Sequence, residues 1–382
     1  MIQQQIILFF ILFICYINIS VSFIHHVQTK DTITSIQSIQ NGFNLHLLND
    51  SYAVCLDGTP GGFYYSQGDP SLYIIELEGG GWCVSPGDCA NRAATAIGSS
   101  KGWPQTTIPG MDGGANGMFS RNCTSNPTFC NATFSLYYRG AYIFNSSVST
   151  ILEMGMKNAT NIILKGCSAG GLATYLHTDI FYNRMVTDAP NARVVAMPDA
   201  GFFRDHNNIY NEPYYSPLYR WVFDTMNVTQ TNPSCLQYYA NNQSNCFFAE
   251  YVLPFITAPF FVTQDLVDSW QLTNILQLPC EPYKPGSCNA TMLAAVADYR
   301  TSMLTALTPL LNNPLNGAFL SSCVQHCHQN IDAVWTSEIV QNQTEQETFV
   351  AWWTGDSSLK HQVVDGPFGT NTHCQGVPYE TN

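Results

Sequence analysis

Short apolar runs alternate with stretches of helical spacing through the middle of the chain. Five runs rich in apolar and β-branched residues predict strands, at 72–77, 132–138, 161–165, 193–197 and 260–263. Between the third and fourth runs, apolar residues recur at helical spacing from Leu172 to Ile180 and predict a helix over 171–185. Strands alternating with helices predict an α/β fold: a mainly parallel sheet with helices on both faces. In such sheets the active site lies at the carboxyl ends of the strands.

The amino terminus has a different pattern. Residues 6–19 form an almost unbroken apolar run, followed by small residues at Ser20 and Ser22. This predicts a signal peptide over 1–22, cleaved near Ser22. An uncleaved anchor is the alternative, since residues 1–5 carry no Lys or Arg. No later run approaches the ~20 apolar residues of a membrane span. With no repeat, charge block or linker, residues 23–382 are expected to form one catalytic domain.

Cysteines and glycosylation sequons also predict export. Removing Cys15 with the leader takes the count from 14 to 13, so one thiol should be unpaired and the others should form disulfides that staple loops. Local pairs are expected at Cys83/Cys89, Cys235/Cys246, Cys280/Cys288 and Cys323/Cys327. Beyond the leader, sequons occur at Asn49, Asn122, Asn131, Asn145, Asn158, Asn227, Asn242, Asn289 and Asn342. The protein is therefore expected to be a secreted glycoprotein, with a lysosome-like compartment as the alternative address.

Composition narrows the class of ligand. The 382 residues are 45% hydrophobic, which suits a large packed core, and their formal net charge is -13. This charge disfavours a nucleic-acid partner, because phosphate binding needs clustered cations. It also repels an anionic polysaccharide at long range.

The residues with the clearest chemistry are Gly166-Cys167-Ser168-Ala169-Gly170, a G-x-S-x-G pattern between a predicted strand and a predicted helix. This context is that of a nucleophile elbow, in which a strained turn exposes the serine hydroxyl. Ser168 is therefore the candidate nucleophile. The helix that follows directs free N–H groups at the reaction centre, so the Ala169 N–H is a candidate oxyanion donor.

A second glycine cluster follows the first predicted strand, in the segment Glu78-Gly79-Gly80-Gly81-Trp82. Glycines at this position let the backbone approach a substrate carbonyl, so the N–H groups of Gly81 and Trp82 are further oxyanion candidates. A phosphate-binding loop is disfavoured because no Lys-Ser or Lys-Thr follows.

A nucleophilic serine needs a histidine base and an acid that orients it. In this fold, the acid and then the histidine follow the serine along the chain. Asp265 and Asp268 both follow the run at 260–263, and His326 and His328 both follow the apolar residues 318–320. Spacing leaves both choices open, and His206, His361 and His373 remain weaker candidates. Zinc binding by Cys323, His326, Cys327 and His328 is disfavoured, because no second half-site has ligand spacing.

Several segments together resemble the pectin acetylesterase family, which includes the Notum-like carboxylesterases. The resemblance covers about 55–375 and rests on LEGGGWC (77–83), SPGDC (85–89), GCSAGGL (166–172), DAGFF (199–203), DSWQ (268–271) and the cluster of Cys323, His326 and Cys327. It implies an α/β-hydrolase-like fold and a triad of Ser168, Asp268 and His326. It also implies hydrolysis of an ester through an acyl-enzyme, with no metal or organic cofactor.

The chain departs from the family at two places. Tyr138-Arg139-Gly140 stands where plant members carry Cys-Asp-Gly, and a cysteine-rich carboxyl-terminal segment is replaced by 365–370, leaving Cys374.

Three functions are compatible with these residues. The first is an esterase that removes O-acetyl groups from a polysaccharide such as pectin; the second is a Notum-like deacylase of a lipidated protein or lipid ester; the third is a secreted glycan-binding protein without turnover. An intact triad disfavours the third.

Overall fold

The computed structural model describes residues 43–107, 133–137, 140–228 and 230–374. The predicted leader 1–22 and the sequons at Asn122 and Asn131 lie outside these ranges. In the part of the chain that is described, no helix is long and apolar enough to cross a membrane.

Twelve strands and eleven helices alternate through the described residues. The strands are β1 Phe43–Leu47, β2 Gly62–Ser66, β3 Leu72–Leu77, β4 Thr106–Thr107, β5 Thr133–Tyr137, β6 Asn161–Cys167, β7 Arg193–Asp199, β8 Phe261–Asp265, β9 Gly317–Ser321, β10 Ile339–Val340, β11 Gln343–Thr344 and β12 Gln362–Val364. The helices are α1 Pro86–Ala93, α2 Ala141–Glu153, α3 Ala169–Asp188, α4 Tyr215–Thr225, α5 Pro233–Tyr238, α6 Ala249–Val252, α7 Ser269–Asn274, α8 Ala290–Ala306, α9 Thr308–Leu311, α10 Asp332–Ser337 and α11 Glu345–Thr354. Short 3-10 turns lie at Met156–Asn158, Gln243–Phe247 and Leu253–Phe255.

One ten-stranded sheet organises the chain, in the order β12-β9-β8-β7-β6-β3-β5-β2-β1-β4. All neighbours from β12 to β5 are parallel, and β2, β1 and β4 extend the sheet by antiparallel pairing. The five predicted strands correspond to β3, β5, β6, β7 and β8, and the predicted helix to α3. The predicted α/β-hydrolase-like fold, with a mainly parallel central sheet and helices, is confirmed.

Alternating side chains of the central strands enter two separate hydrophobic cores. On β7, Val195 belongs to one core and Ala196 to the other; on β8, Phe261 and Val262 divide in the same way. Because successive strand residues point to opposite faces, the two cores cover the two faces of the sheet. This double burial explains why these strands read as continuous apolar runs.

Disulfides fix the loops, with one correction to the predicted pairs. Bonds join Cys83 to Cys89, Cys235 to Cys246 and Cys280 to Cys288, as predicted. The predicted Cys323–Cys327 bond is wrong: Cys323 pairs with Cys374, and Cys327 pairs with Cys167. The reason is the path of the loop after β9, which carries Cys327 over the end of β6 and leaves Cys323 to the carboxyl-terminal segment.

No cysteine among the described residues is free, so the expected unpaired thiol is not among them. Because the sulfurs of Cys323 and Cys327 are both in disulfides, neither is a thiolate that could ligate zinc.

A charged pair lies inside the sheet where apolar side chains would be expected. Lys165 on β6 and Glu76 on β3 approach to 3.5 Å with side chains 0% and 1% exposed, and both hydrogen-bond to the Asn330 side chain. Burial raises the pKa of Glu76 to about 7, against the opposing charge of Lys165, and burial lowers the pKa of Lys165. The charge of each residue therefore depends on the other.

Replacing one partner should destabilise the protein strongly. Lys165→Met leaves the Glu76 carboxyl buried without its cation, and we expect the free energy of unfolding in urea to fall by about 3–5 kcal/mol. The matched double variant Lys165→Met/Glu76→Leu should recover most of the loss, because it removes both charges. A loss below about 1 kcal/mol in the single variant would contradict this account.

Candidate active site

Ser168 sits in a strained turn between β6 and α3. Its backbone has φ 57° and ψ -122°, a region that non-glycine residues rarely occupy, and its N–H donates to the Asp199 carbonyl oxygen at 3.0 Å. Such strain costs ~1–3 kcal/mol and persists where surrounding structure enforces it. This is the geometry of a nucleophile elbow, which exposes the hydroxyl of its serine.

The glycines around Ser168 are required by close backbone contacts. A Cβ on Gly170 would lie 1.6 Å from the Leu77 carbonyl oxygen, and one on Gly171 would lie 2.2 Å from the Asp199 carbonyl oxygen. The first turn of α3 therefore packs directly on the ends of β3 and β7, and no larger residue fits there. This contact sets where the N-terminus of α3 points. The N–H of Ala169 lies in that first turn, whose N–H groups have no acceptor within a helix.

The second glycine cluster borders the same serine. A Cβ on Gly79 would come within 3.2 Å of the Ser168 Cβ, and Gly81 adopts φ 68°, which favours glycine. The Arg92 guanidinium donates to the carbonyl oxygens of Gly80 at 2.7 Å and Trp82 at 3.4 Å. The Gly81 N–H has no acceptor among the described residues. Arg92 thus holds the loop through the carbonyl oxygens of Gly80 and Trp82 and leaves the Gly81 N–H available.

Asp268 and His326 meet on the loops after β8 and β9. The His326 Nδ1 lies 2.7 Å from Asp268 Oδ2, and the side chains are 17% and 0% exposed. The other carboxylate oxygen of Asp268 caps α7 by accepting from the Gln271 N–H at 2.9 Å. With both oxygens engaged, the carboxylate is fixed in position, and it fixes the imidazole in turn.

Backbone bonds and a disulfide tie these loops to the nucleophile elbow. Ser269 N–H donates to the Gln325 carbonyl oxygen at 2.9 Å, which joins the two loops. The disulfide between Cys167 and Cys327 links the residue before Ser168 to the residue after His326, with Cα atoms 5.6 Å apart. The serine and the histidine are therefore held on adjoining backbone segments.

Asp199 supports both segments and was missed as a site residue in the sequence, although it begins the DAGFF motif. Its carbonyl oxygen accepts from Ser168 N–H, and its Oδ2 accepts from the N–H groups of His328 at 2.8 Å and Gln329 at 2.9 Å. The side chain is fully buried, and burial raises the pKa of Asp199 to about 6. One residue at the end of β7 thus positions the elbow and the histidine loop together.

The alternative acid and base left open by spacing form a separate buried pair. His328 Nε2 lies 2.7 Å from Asp265 Oδ2, and both side chains are 0% exposed. Burial lowers the pKa of His328, but the negative charges of Asp265 and Glu338 outweigh it and raise the pKa well above 6.5. A pair with no solvent contact cannot reach a substrate, so it supports the loop behind the site.

Asp265 and His328, together with Glu338, form the one cluster among the described residues whose ligand atoms lie close enough together to hold a metal ion. Ligand atoms of Asp265, His328 and Glu338 all lie within 4.8 Å of one another. Each already has a protein partner, since Asp265 bonds to His328 and Glu338 accepts from Gln325 Nε2 at 2.7 Å. Protein contacts therefore account for the arrangement of all three side chains. Of the weaker histidine candidates, His361 contacts the Asp356 carbonyl oxygen, and His373 is exposed.

The electrostatics of His326 suit a proton acceptor. Burial lowers its pKa, but the negative charge and hydrogen bond of Asp268 outweigh burial and raise the pKa above the ordinary value of 6.5. Its Nε2 is buried and has no hydrogen-bond partner in the described structure, Ser168 included. The structure therefore brings Asp268 and His326 into contact and leaves Nε2 as the free nitrogen. In unliganded sites the bond from base to nucleophile is often long and shortens when substrate binds.

Aromatic rings pack around the imidazole. Trp270 stacks on His326 with ring centroids 6.3 Å apart, and Phe203 lies 6.4 Å from it. Trp82 packs on Trp270 at 6.0 Å and on Tyr219 at 4.8 Å. Phe203 and Tyr219 are 0% exposed, so neither borders space that a water molecule could enter. These rings exclude solvent from one side of the site.

An elbow serine beside a histidine–aspartate pair, on this sheet, is the arrangement of an α/β-hydrolase. The pectinacetylesterase family profile matches residues 36–134 and 132–375, and the chain belongs to that family.

Named relatives and a solved structure agree with this placement. The chain is 31% identical to pectin acetylesterase 11 of Arabidopsis thaliana, over 86% of this chain and 90% of the relative. It is 27% identical to the palmitoleoyl-protein carboxylesterase NOTUM of Homo sapiens, over 66% of this chain and 56% of that protein. The crystal structure of the Wnt deacylase Notum from Drosophila superposes with a TM-score of 0.76 at 19% identity, over 87% of this chain and 99% of that chain. The last comparison establishes a common fold.

Proposed function

We propose that the protein is a serine carboxylesterase in which Ser168 is the nucleophile, His326 the general base and Asp268 the residue that orients it. The observation that carries this proposal is the 2.7 Å contact between Asp268 and His326 on loops tied to the Ser168 elbow. The family relatives are named as carboxylic ester hydrolases, which supports the same reaction class.

The reaction then follows from the positions of these groups. His326 Nε2 takes the proton of the Ser168 hydroxyl as the serine oxygen attacks the ester carbonyl. The N–H groups of Gly81, Trp82 and Ala169 stabilise the negative charge on the carbonyl oxygen. The tetrahedral intermediate collapses, His326 returns the proton to the leaving alcohol, and an acyl-enzyme remains. Water, activated by the same imidazole, attacks this ester and releases the acid.

The acyl group is proposed to be acetyl, and the substrate an O-acetylated polysaccharide, a class that includes both pectin and neutral acetylated polysaccharides. The aromatic cluster that packs on His326 through Phe203 and Trp270 supports a short acyl group, since Phe203 and Tyr219 within it have no exposed surface on which a long chain could lie. Pectin acetylesterase relatives match the chain over more of its length than the Notum relatives do.

A panel of aryl esters tests the acyl group. We expect kcat/KM to be highest for the acetyl ester and lower by about tenfold or more for the octanoyl ester, because a longer chain must displace packed rings. Each tenfold loss of kcat/KM corresponds to ~1.4 kcal/mol. Tyr219→Ala is a matched variant that should relax the preference by opening space among the rings. A maximum at chains longer than butyryl in the unaltered protein would favour the lipid deacylase and contradict the proposal.

We also propose that the protein is exported through the secretory pathway. Residues 1–22 would act as a cleaved leader, and residues 23–382 as one secreted domain. Six described sequon asparagines are exposed, and Asn145 is half-buried, so the sites are accessible to glycosylation. The disulfides in the described residues suit an oxidising compartment. A shift in gel mobility on enzymatic removal of N-glycans from protein made in a secretory host tests this address.

A further inference from the structure

A polar cleft is formed in part by the loop that follows β7, the strand that ends at Asp199. Its volume is about 460 Å³, and it lies between the loop 205–211 after β7 and the exposed side of α8 at Ala295 and Asp298. Ile209 and Leu276 supply its apolar surface. No part of the proposed reaction uses this cleft.

Several polar groups of the cleft are available to a ligand. The exposed Asp298 carboxylate has no hydrogen-bond or ion-pair partner among the described residues. The side chains of Asn207 and Asn211 share one bond of 2.9 Å, which leaves the side-chain oxygen of Asn207 and the side-chain amino group of Asn211 without described partners. The His206 Nδ1 contacts the backbone carbonyl oxygen of Asn207, and its Nε2 is likewise available. Donors and acceptors are therefore mixed, which suits hydroxyl groups, since each hydroxyl can do both.

Two exposed tyrosines belong to or follow the loop that lines the cleft. Tyr210, between two residues of the cleft, is 66% exposed, and Tyr214 is 50% exposed. A tyrosine ring combines an apolar face with a polar tip. The C–H face of a sugar ring can stack on such a ring while its hydroxyls bond to neighbouring amides.

The charge of the cleft selects against an acidic sugar. The Asp205 carboxylate is neutralised by Arg220 at 3.0 Å and also accepts from Tyr251, whereas the Asp298 carboxylate has no such cation. None of the described residues that line the cleft is Lys or Arg. With a net charge of -13 on the whole chain, a uronate would be repelled here.

A short path of contacts connects the cleft to the catalytic aspartate. The His206 ring lies 5.0 Å from the buried Tyr299 ring, and the Tyr299 hydroxyl donates to Gln271 Oε1 at 2.7 Å. Gln271 N–H in turn donates to Asp268. Tyr299 and Gln271 thus lie between the cleft and Asp268, so the cleft adjoins the elements that carry the proposed triad.

We propose that this cleft is a subsite for an uncharged, hydroxyl-rich sugar unit of the polysaccharide, separate from the unit that is deacetylated. The proposal rests on the proposed esterase function for its role in turnover. It places the polymer chain across α8 and predicts that neutral acetylated polysaccharides are better substrates than acetylated polygalacturonate.

Substitutions in the cleft should separate polymer from small ester. We expect Asp298→Ala and Asn211→Ala each to raise KM for acetylated glucomannan by about fivefold to tenfold, with kcat/KM for an aryl acetate unchanged. Asp224→Ala is the matched control, because it also removes an exposed carboxylate from a helix, α4, outside the cleft. It should change neither value.

Binding gives a readout that does not need turnover. Titration of the Ser168→Ala protein with a neutral manno-oligosaccharide should give a Kd that Asp298→Ala weakens by a similar factor and Asp224→Ala does not. Equal KM and Kd values in the cleft variants and the control, or a preference for acetylated polygalacturonate, would overturn the subsite. Loss of aryl acetate hydrolysis in the unaltered protein would overturn the esterase function instead, and the titration would still decide on the cleft.

Discussion

Ser168→Ala should lower kcat for an aryl acetate by about 10⁵–10⁶-fold, the largest effect of any single change in the chain. Alanine removes the only atom that forms the acyl-enzyme in the proposed reaction, while the donors of Gly81, Trp82 and Ala169 remain. A residual rate of ~10³-fold over the uncatalysed reaction should therefore persist, since oxyanion binding does not require the nucleophile. Initial rates over substrate concentration, with protein concentrations high enough to detect the residual, measure both.

Ser168→Ala should fold normally, because the backbone keeps the same turn and the alanine side chain is smaller than that of serine. Thermal unfolding beside the unaltered protein checks this. Ser234→Ala is a matched control: it removes an exposed serine hydroxyl from α5, away from the elbow, and should leave kcat unchanged. Retention of more than about a hundredth of the rate by folded Ser168→Ala would rule out Ser168 as the nucleophile.

Asp268→Asn should lower kcat by about 10⁴-fold, because an amide that donates to Nδ1 imposes the wrong imidazole tautomer and leaves the imidazolium without its counter-charge. The pH profile should change as well. His326 must be neutral to accept a proton, and its pKa is raised, so kcat/KM of the unaltered protein should fall as the pH drops through a value above 6.5.

In Asp268→Asn the largest of the negative charges that raise the pKa of His326 is gone, and burial, which lowers this pKa, remains. The fall of kcat/KM at acidic pH should therefore occur at lower pH in this variant. It is measured on the small rate that the variant retains. Asp265→Asn is the informative control, since Asp265 contacts His328 and does not contact His326. It should destabilise the protein and cost far less rate per folded molecule. An equal rate loss in the two variants, or an acidic limb that stays in place in Asp268→Asn, would contradict the assignment of Asp268.

The local pattern was sufficient to predict the elbow and the central strands. Strands such as β6 and β7 are buried on both faces, so apolar runs identify them. The glycines around Ser168 reflect backbone contacts so close that a Cβ on Gly170 would lie 1.6 Å from a carbonyl oxygen. These constraints act over a few residues and so leave a mark in the sequence. Among the antiparallel strands at one end of the sheet, β1 was not predicted because polar residues interrupt its apolar ones, and β4 because it has only two residues.

Choices between near neighbours were not decided by spacing. Asp265 is the last residue of β8 and points into the protein, whereas Asp268 lies three positions on, at the start of α7. His326 and His328 lie on one loop, yet only His326 has an exposed edge. Family resemblance selected Asp268 and His326, and the geometry of the loops gives the physical reason.

Long-range partners were beyond the local pattern. Cys327 bonds to Cys167, 160 positions away, although Cys323 lies four residues from it. The support given by Asp199, Arg92 and the Lys165–Glu76 pair depends on which elements cover them. In the sequence, a charged residue in a short strand is equally compatible with a buried and a solvent-facing position, so its burial is seen only in the folded structure.

Detection of the acyl-enzyme decides whether Ser168 is the nucleophile. The protein is mixed with excess aryl acetate, quenched in acid within the first turnovers and digested, and the peptides are analysed by mass spectrometry. We expect the mass gain of one acetyl group on Ser168, its disappearance on longer incubation after substrate is exhausted, and its absence from Ser168→Ala. Turnover without any acetylated peptide, or an acetyl group on a different residue that Ser168→Ala retains, would contradict this role of Ser168.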